Sequence, residues 1–206
     1  MQTLGKSVVL IGHMGAGKSS LGPALAHALN LPFIDCDARI EEEAGQTIAD
    51  IFKTQGEERF RQLEYTLLRQ VLAGTPAVIA TGGGMFMAEA CRELIRTHAI
   101  SLWLRASVAT LAQRLKNSMG GKKHNPRPLL AGGGEVMASL TQLAKTRDPI
   151  YATADIIVDI DGCSRSEALG RVLAALAPNK SQSESQSESQ NDSQSPQSHT
   201  QRVACS

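Results

Sequence analysis

Short runs of apolar residues alternate along the chain with longer stretches in which apolar side chains recur every three or four positions. The runs 8–11, 32–35, 77–81, 100–104 and 155–158 are rich in branched residues, as strands buried on both faces are. The stretches 18–29, 57–73, 88–97, 107–116, 135–146 and 165–176 read as helices. In 57–73 the residues Phe60, Leu63, Leu67, Leu68 and Val71 form one stripe, with charges opposite. In 165–176 the stripe is Ala168, Leu169, Val172, Leu173 and Leu176. This alternation predicts an α/β fold, a parallel sheet with helices on both faces.

Two segments break the rhythm. After Pro178 the composition turns to Ser, Gln, Asn and charge, with a repeated Ser-Gln-Ser-Glu. Residues 179–206 bury too little apolar surface to offset their ordering entropy and are expected to be a disordered tail on a domain of residues 1–178. The second is 117–134, dense in glycine and proline and carrying Lys122, Lys123 and Arg127. A long basic segment of this kind inside a compact domain predicts a lid that closes over phosphates.

The first strand runs into Gly12-His13-Met14-Gly15-Ala16-Gly17-Lys18-Ser19-Ser20, and this turn opens the first helix. The G-x-x-x-x-G-K-S spacing, in that strand-to-helix context, is a P-loop. Glycines let successive backbone N–H groups converge on phosphate oxygens, and the helix start adds more. Gly15, Ala16, Gly17, Lys18, Ser19 and Ser20 are therefore the expected ATP-binding residues. Lys18 would reach the β- and γ-phosphates and Ser19 would offer a hydroxyl to Mg²⁺. His13, at a variable position of the loop, is expected to be exposed and indifferent.

Bulk properties narrow the rest. A net charge of +1 over 206 residues, few aromatics and no basic face argue against nucleic acid. No stretch has the length and apolarity of a membrane span, and the start shows no secretion-leader pattern. Cys36, Cys91, Cys163 and Cys205 are scattered and the histidines do not cluster, which predicts a cytoplasmic protein without disulfides or zinc.

Further candidates are carboxylates and arginines. Asp35 and Asp37 flank Cys36 where the second strand ends, on the edge that holds the P-loop. One can hold Mg²⁺ through water while the other meets a substrate hydroxyl, and Asp37 is also the expected cap of a helix over 38–44. Gly82-Gly83-Gly84 follows the third strand, at the sheet edge where α/β ligands bind. Arg61 lies beside the apolar stripe of its helix, where an arginine usually buries its stem and keeps its head in water.

Together these blocks resemble the shikimate kinase family. The resemblance covers about residues 7–158. It rests on the P-loop, Phe33-Ile-Asp35-Cys-Asp37, Thr47-Ile-Ala-Asp-Ile-Phe52, Gly56-Glu-x-x-Phe60-Arg61-x-x-Glu64, Ala80-Thr-Gly82-Gly83-Gly84, Arg127-Pro-Leu-Leu130 and Arg147-x-Pro-x-Tyr151. It implies a nucleoside-monophosphate-kinase-like, three-layer fold with a five-stranded parallel sheet. It also implies transfer of the ATP γ-phosphoryl group to the 3-hydroxyl of shikimate, with Mg²⁺, by a monomer. By that likeness Asp37 meets the acceptor hydroxyl, Arg61 and Arg147 clamp the shikimate carboxylate, and Gly83 gives a backbone contact. Asp35 would lie near the magnesium waters, Arg127 would be the lid arginine, and Phe52 and Phe60 would wall the ring. No residue is assigned to the adenine. The rival readings are another small-molecule kinase, such as a gluconate kinase, and a non-catalytic nucleotide-binding module. The first would not require Arg61, Gly82–Gly84 and Arg147 together, and the second would be marked by loss of Lys18, Asp37 or Arg127.

Overall fold

The computed structural model describes residues 5–119 and 133–177. Its elements are β1 (Ser7–Ile11), α1 (Lys18–Leu29), β2 (Phe33–Asp35), α2 (Cys36–Ala44), α3 (Ile48–Leu72), β3 (Val78–Ala80), α4 (Glu89–His98), β4 (Ala99–Arg105), α5 (Val108–Met119), α6 (Gly133–Tyr151), β5 (Ile156–Asp159) and α7 (Arg165–Leu176). A 3₁₀ turn, Met85–Met87, precedes α4. The strands form one parallel sheet in the order β2-β3-β1-β4-β5. The parallel sheet expected from the sequence is thus present, and β1 sits at its centre. Everything that leaves the carboxyl end of β1 or β3 enters one shared crevice.

Strand alternation divides the apolar residues between two faces. Val8, Phe33 and Val78 lie in one row across neighbouring strands. Helix α1 packs on the same three strands, with Gly22 against the Phe33 ring. The other face carries Val9, Ile11, Ile79 and Trp103, packed with Ile40 of α2, Phe60, Leu67 and Leu68 of α3, Ile95 of α4 and Tyr151 of α6. Contacts gather the described residues up to Ala175 into one compact unit.

Several boundaries differ from the sequence expectation. The helix expected over 57–73 is α3, which begins at Ile48, nine residues earlier. Thr47 caps its start, accepting from Asp50 N at 3.1 Å, and Gly56 breaks it into two limbs with φ 80° and ψ 173°, a conformation open in practice to glycine alone. The helix expected over 38–44 begins at Cys36, and its cap is Asp35 rather than Asp37. Asp35 Oδ1 accepts from Asp37 N at 3.1 Å and Ala38 N at 3.4 Å. That cap is worth about 1 kcal/mol to the helix.

The helix expected over 135–146 runs to Tyr151, through Pro149. Pro149 lies in the last turn, and Ala152 N still closes it on Asp148 O at 2.8 Å, while burial of Leu140 and Tyr151 holds the helix to the domain. The segment expected as a lid, 117–134, is helical at both ends. Residues up to Met119 belong to α5 and those from Gly133 to α6. Arg127 and the expected tail, 179–206, lie outside the described residues.

Two helix glycines give a test with opposite signs. A Cβ at Gly22 would overlap the Phe33 ring, whereas nothing lies within 4 Å of one at Gly170 in α7. Gly22→Ala is expected to cost about 1–2 kcal/mol, overpacking outweighing helix propensity, and Gly170→Ala to add about 0.5–1 kcal/mol. Urea unfolding of both variants checks this; stabilisation by Gly22→Ala would mean that α1 does not press on β2.

Candidate active site

β1 delivers its last residue, Ile11, into a loop bent by three glycines of positive φ: Gly12 (142°), Gly15 (82°) and Gly17 (97°). Gly17 precedes α1 in the left-handed region, so the first helical N–H groups face the loop. Lys18 is buried at 9% exposure, and its Nζ donates to Gly12 O at 2.6 Å and His13 O at 3.0 Å. Ser19 is exposed. Ser20 Oγ donates to Gly17 O at 3.0 Å, so that hydroxyl closes the first turn. Ala16 is buried beneath the loop.

Beside the loop, Gly82-Gly83-Gly84 leaves the carboxyl end of β3, and each glycine adjoins a different charged side chain. A Cβ at position 82 would lie 2.6 Å from Asp37 Oδ1 and 3.0 Å from Glu64 Oε1. At 83 it would lie 3.0 Å from an Arg147 Nη1, and at 84 it would lie 2.5 Å from an Arg61 Nη1. None of the three has a positive φ, so a side chain here would meet the ends of these charged side chains and no backbone strain. Asp37 from α2, Arg61 and Glu64 from α3, and Arg147 from α6 therefore converge on one turn.

Arg147 Nη1 donates to Gly83 O at 2.8 Å, and the Tyr151 hydroxyl donates to the same carbonyl. Arg61 is held by its own helix. Its Nη1 donates to Glu64 Oε2 at 2.6 Å, and Nε and Nη2 donate to Glu57 Oε1 at 3.2 and 2.8 Å. Its head also lies 5.5 Å from the Phe60 ring centroid. The sequence-based expectation of an arginine merely reaching for water is thus replaced by a guanidinium fixed on two carboxylates. Phe52 and Phe60 stack at 4.8 Å, Phe60 buried and Phe52 exposed at 37%.

Glu64 is buried at 1% exposure, and its Oε1 has no hydrogen-bond partner among the described residues. Burial pushes its carboxyl above the ordinary value, against the hydrogen bond and charge of Arg61. Asp37, close by, pushes it the same way as burial. Two carboxylates and two guanidiniums in one half-buried crevice make a site suited to a small polar anion. The arginines can take a carboxylate, and Asp37 can accept from a hydroxyl.

Comparisons with known proteins give the family. The shikimate kinase family model matches residues 14–177. A shikimate kinase of Ruegeria pomeroyi is 42% identical over 182 residues, covering 88% of this chain and 90% of the relative. The chain belongs to the shikimate kinase family. A second member, from Cereibacter sphaeroides, is 42% identical over 177 residues, covering 86% of this chain and 85% of its own. Among solved structures, a shikimate kinase from Acinetobacter baumannii in complex with shikimate superposes with a TM-score of 0.74 at 31% identity, over 83% of this chain and 92% of its own. A gluconokinase from Sinorhizobium meliloti, at 19% identity and a TM-score of 0.55 over 84% and 93%, shares the fold.

Two residues beside the shikimate kinase motifs escaped the sequence reading. His13 is the clearer case and a correction: far from exposed, it is buried at 3%, with Nε2 2.7 Å from Asp148 Oδ1. Arg114 of α5 donates to Ile160 O at 3.0 Å and Cys163 O at 3.2 Å, with Ala16 O at 3.4 Å, and so ties the P-loop to the turn after β5. Neither carries a local signal, because both partners lie far off in sequence.

The raised Glu64 carboxyl has a consequence for stability. A carboxyl that is harder to ionise folded than unfolded adds stability while protonated. That increment is lost as pH rises from the ordinary carboxylate range through the raised value. Glu64→Gln removes the titration, so the stability of the wild type relative to this variant is expected to fall across that window. Urea unfolding at stepped pH measures it, and a difference that stays constant there would contradict the burial described.

Proposed function

We propose that this chain transfers the γ-phosphoryl group of ATP to the 3-hydroxyl of shikimate, giving ADP and 3-phosphoshikimate for aromatic amino-acid biosynthesis. The observation that carries the proposal is the convergence of Asp37, Arg61 and Arg147 on Gly82–Gly84, next to the P-loop. Shikimate offers one carboxylate and three hydroxyls on a small ring. Arg61 and Arg147 take the carboxylate, Phe52 and Phe60 wall the ring, and the Gly83 backbone adds a contact. This leaves a hydroxyl toward Asp37, which orients it and accepts its proton late in the transfer.

Phosphoryl transfer asks for alignment and for neutralisation of charge on the transferred group. Gly15, Ala16, Gly17, Ser19 and Ser20 supply backbone N–H groups and the helix start, and Lys18 supplies a positive charge from a buried position. Arg127 is proposed to add a second charge from the segment 117–134. The oxygen donors present suit Mg²⁺, which keeps several waters and needs few protein ligands. Ser19 would hold it directly and Asp35 through water, and when bound it offsets phosphate charge. The Asp35 carboxylate also caps α2, so its position is fixed by the helix it begins. We further place the enzyme in the cytoplasm as a monomer. Cys36, Cys91 and Cys163 are free thiols, and no described helix is long and apolar enough to cross a membrane.

The test is steady-state ADP release with Mg-ATP and shikimate, quinate, gluconate or no acceptor. Shikimate is expected to exceed the others at least a hundredfold, about 2.7 kcal/mol. Nucleotide binding without shikimate-dependent release would overturn the proposal. Asp37→Asn is expected to lower kcat by about 10²–10⁴-fold while ATP binding persists. A rate within tenfold of wild type would remove Asp37 from its role.

A further inference from the structure

Three features of the described residues lie outside the roles assigned above: a groove between α4 and the end of α6, the buried thiols Cys36 and Cys91, and His13. Only His13 connects to the chemistry. It sits in the P-loop, yet its ring reaches Asp148 on α6, 135 residues away, at 2.7 Å. The same ring meets the edge of Tyr151 at a centroid distance of 5.1 Å. Tyr151 and Arg147 both donate to Gly83 O. Arg147, Asp148 and Tyr151 are spaced to share one face of α6. On its other side, the His13 carbonyl accepts from Lys18 Nζ at 3.0 Å.

A single residue therefore joins the lysine of the phosphate loop to the helix that carries an arginine of the acceptor site. We infer that His13 is a positioning residue: paired with Asp148, it fixes the P-loop in register with α6, so that the phosphoryl donor and the acceptor hydroxyl are aligned. The inference rests on the phosphoryl-transfer reading above. Its physical basis is that transfer rates depend steeply on the relative placement of two bound reactants, so misplacement by an ångström is costly.

The state of the ring suits a strut. Burial, the largest influence, holds the imidazole below its ordinary value. The hydrogen bond and charge of Asp148 oppose this, and the nearby charges of Arg147 and Lys18 add to it. A neutral ring that donates from Nε2 to the carboxylate is a fixed, directional contact. Asp148 is half-exposed, so the pair is anchored on one side by the buried P-loop and on the other by a helix surface. Phosphate binding needs no imidazole at this position, since His13 contributes only its backbone to the lysine.

Four variants test the inference: His13→Leu, which keeps bulk and loses the hydrogen bond, His13→Gln, which keeps an N–H at similar reach, Asp148→Ala, and the double variant His13→Leu/Asp148→Ala. Each is assayed for kcat and for both KM values beside the wild type. His13→Leu and Asp148→Ala are each expected to lower kcat about tenfold while the KM for ATP stays within twofold. The double variant is expected to be no worse than His13→Leu, and His13→Gln to stay within about threefold of wild type.

Full kcat in His13→Leu, effects that multiply in the double variant, or a His13→Gln rate as low as that of His13→Leu would each overturn the inference. If His13→Leu does not fold, the half-exposed Asp148→Ala decides, and an unchanged kcat there overturns it. A wild type that turns over shikimate beside unaffected variants sinks only the strut. A wild type with no shikimate turnover sinks the functional reading, and the strut with it.

Discussion

At the carboxyl end of β3 the backbone runs for three residues without a Cβ, and the space is taken by charged groups from three helices. Asp37 and Glu64 crowd position 82, Arg147 crowds 83 and Arg61 crowds 84. A side chain here would displace the ends of these charged groups from the turn. The sheet order places this turn beside the P-loop, since β3 and β1 are hydrogen-bonded neighbours. The proposed acceptor site and the P-loop thus meet through two adjacent strand ends.

The charges in this crevice are held by fixed partners. Glu64 is nearly inaccessible and is compensated by Arg61, Lys18 is turned onto two loop carbonyls, and Arg147 is tied to Gly83 O. Burying such groups unpaired would cost several kcal/mol each, so the pairs are a condition of the fold as well as of the site. Within that limit the site keeps its polar atoms preorganised, which is what neutralising a transferred phosphoryl group requires.

The sheet and the P-loop were legible in the sequence because each has a local signature, a branched apolar run or a glycine spacing; Asp37, Arg61, Gly83 and Arg147 stand in short ordered blocks, and the structure brings them to one turn. What was not legible depends on distant contact. The limb of α3 before Gly56 lacks a long apolar stripe, and it folds because Ile51 is buried in the core and Phe52 stacks on Phe60. Pro149 argues against the end of α6, yet packing of Tyr151 retains it. His13 looked indifferent because its partner is 135 residues away. Asp37 is the cap the sequence suggests for the helix after β2, and only the observed helix start, at Cys36, gives that role to Asp35.

The proposed acceptor site needs a glycine turn that leaves room for both arginines, Arg147 tied to Gly83 O and Arg61 held by Glu57 and Glu64. Calorimetric titration of Gly84→Ala with shikimate, and separately with ADP, tests it most directly. Gly84 has φ −101° and ψ −18°, so alanine brings no backbone strain there and acts only through its methyl group against Arg61. Shikimate affinity is expected to fall at least tenfold, with ADP affinity within twofold of wild type. Undiminished shikimate affinity in a folded variant would contradict it.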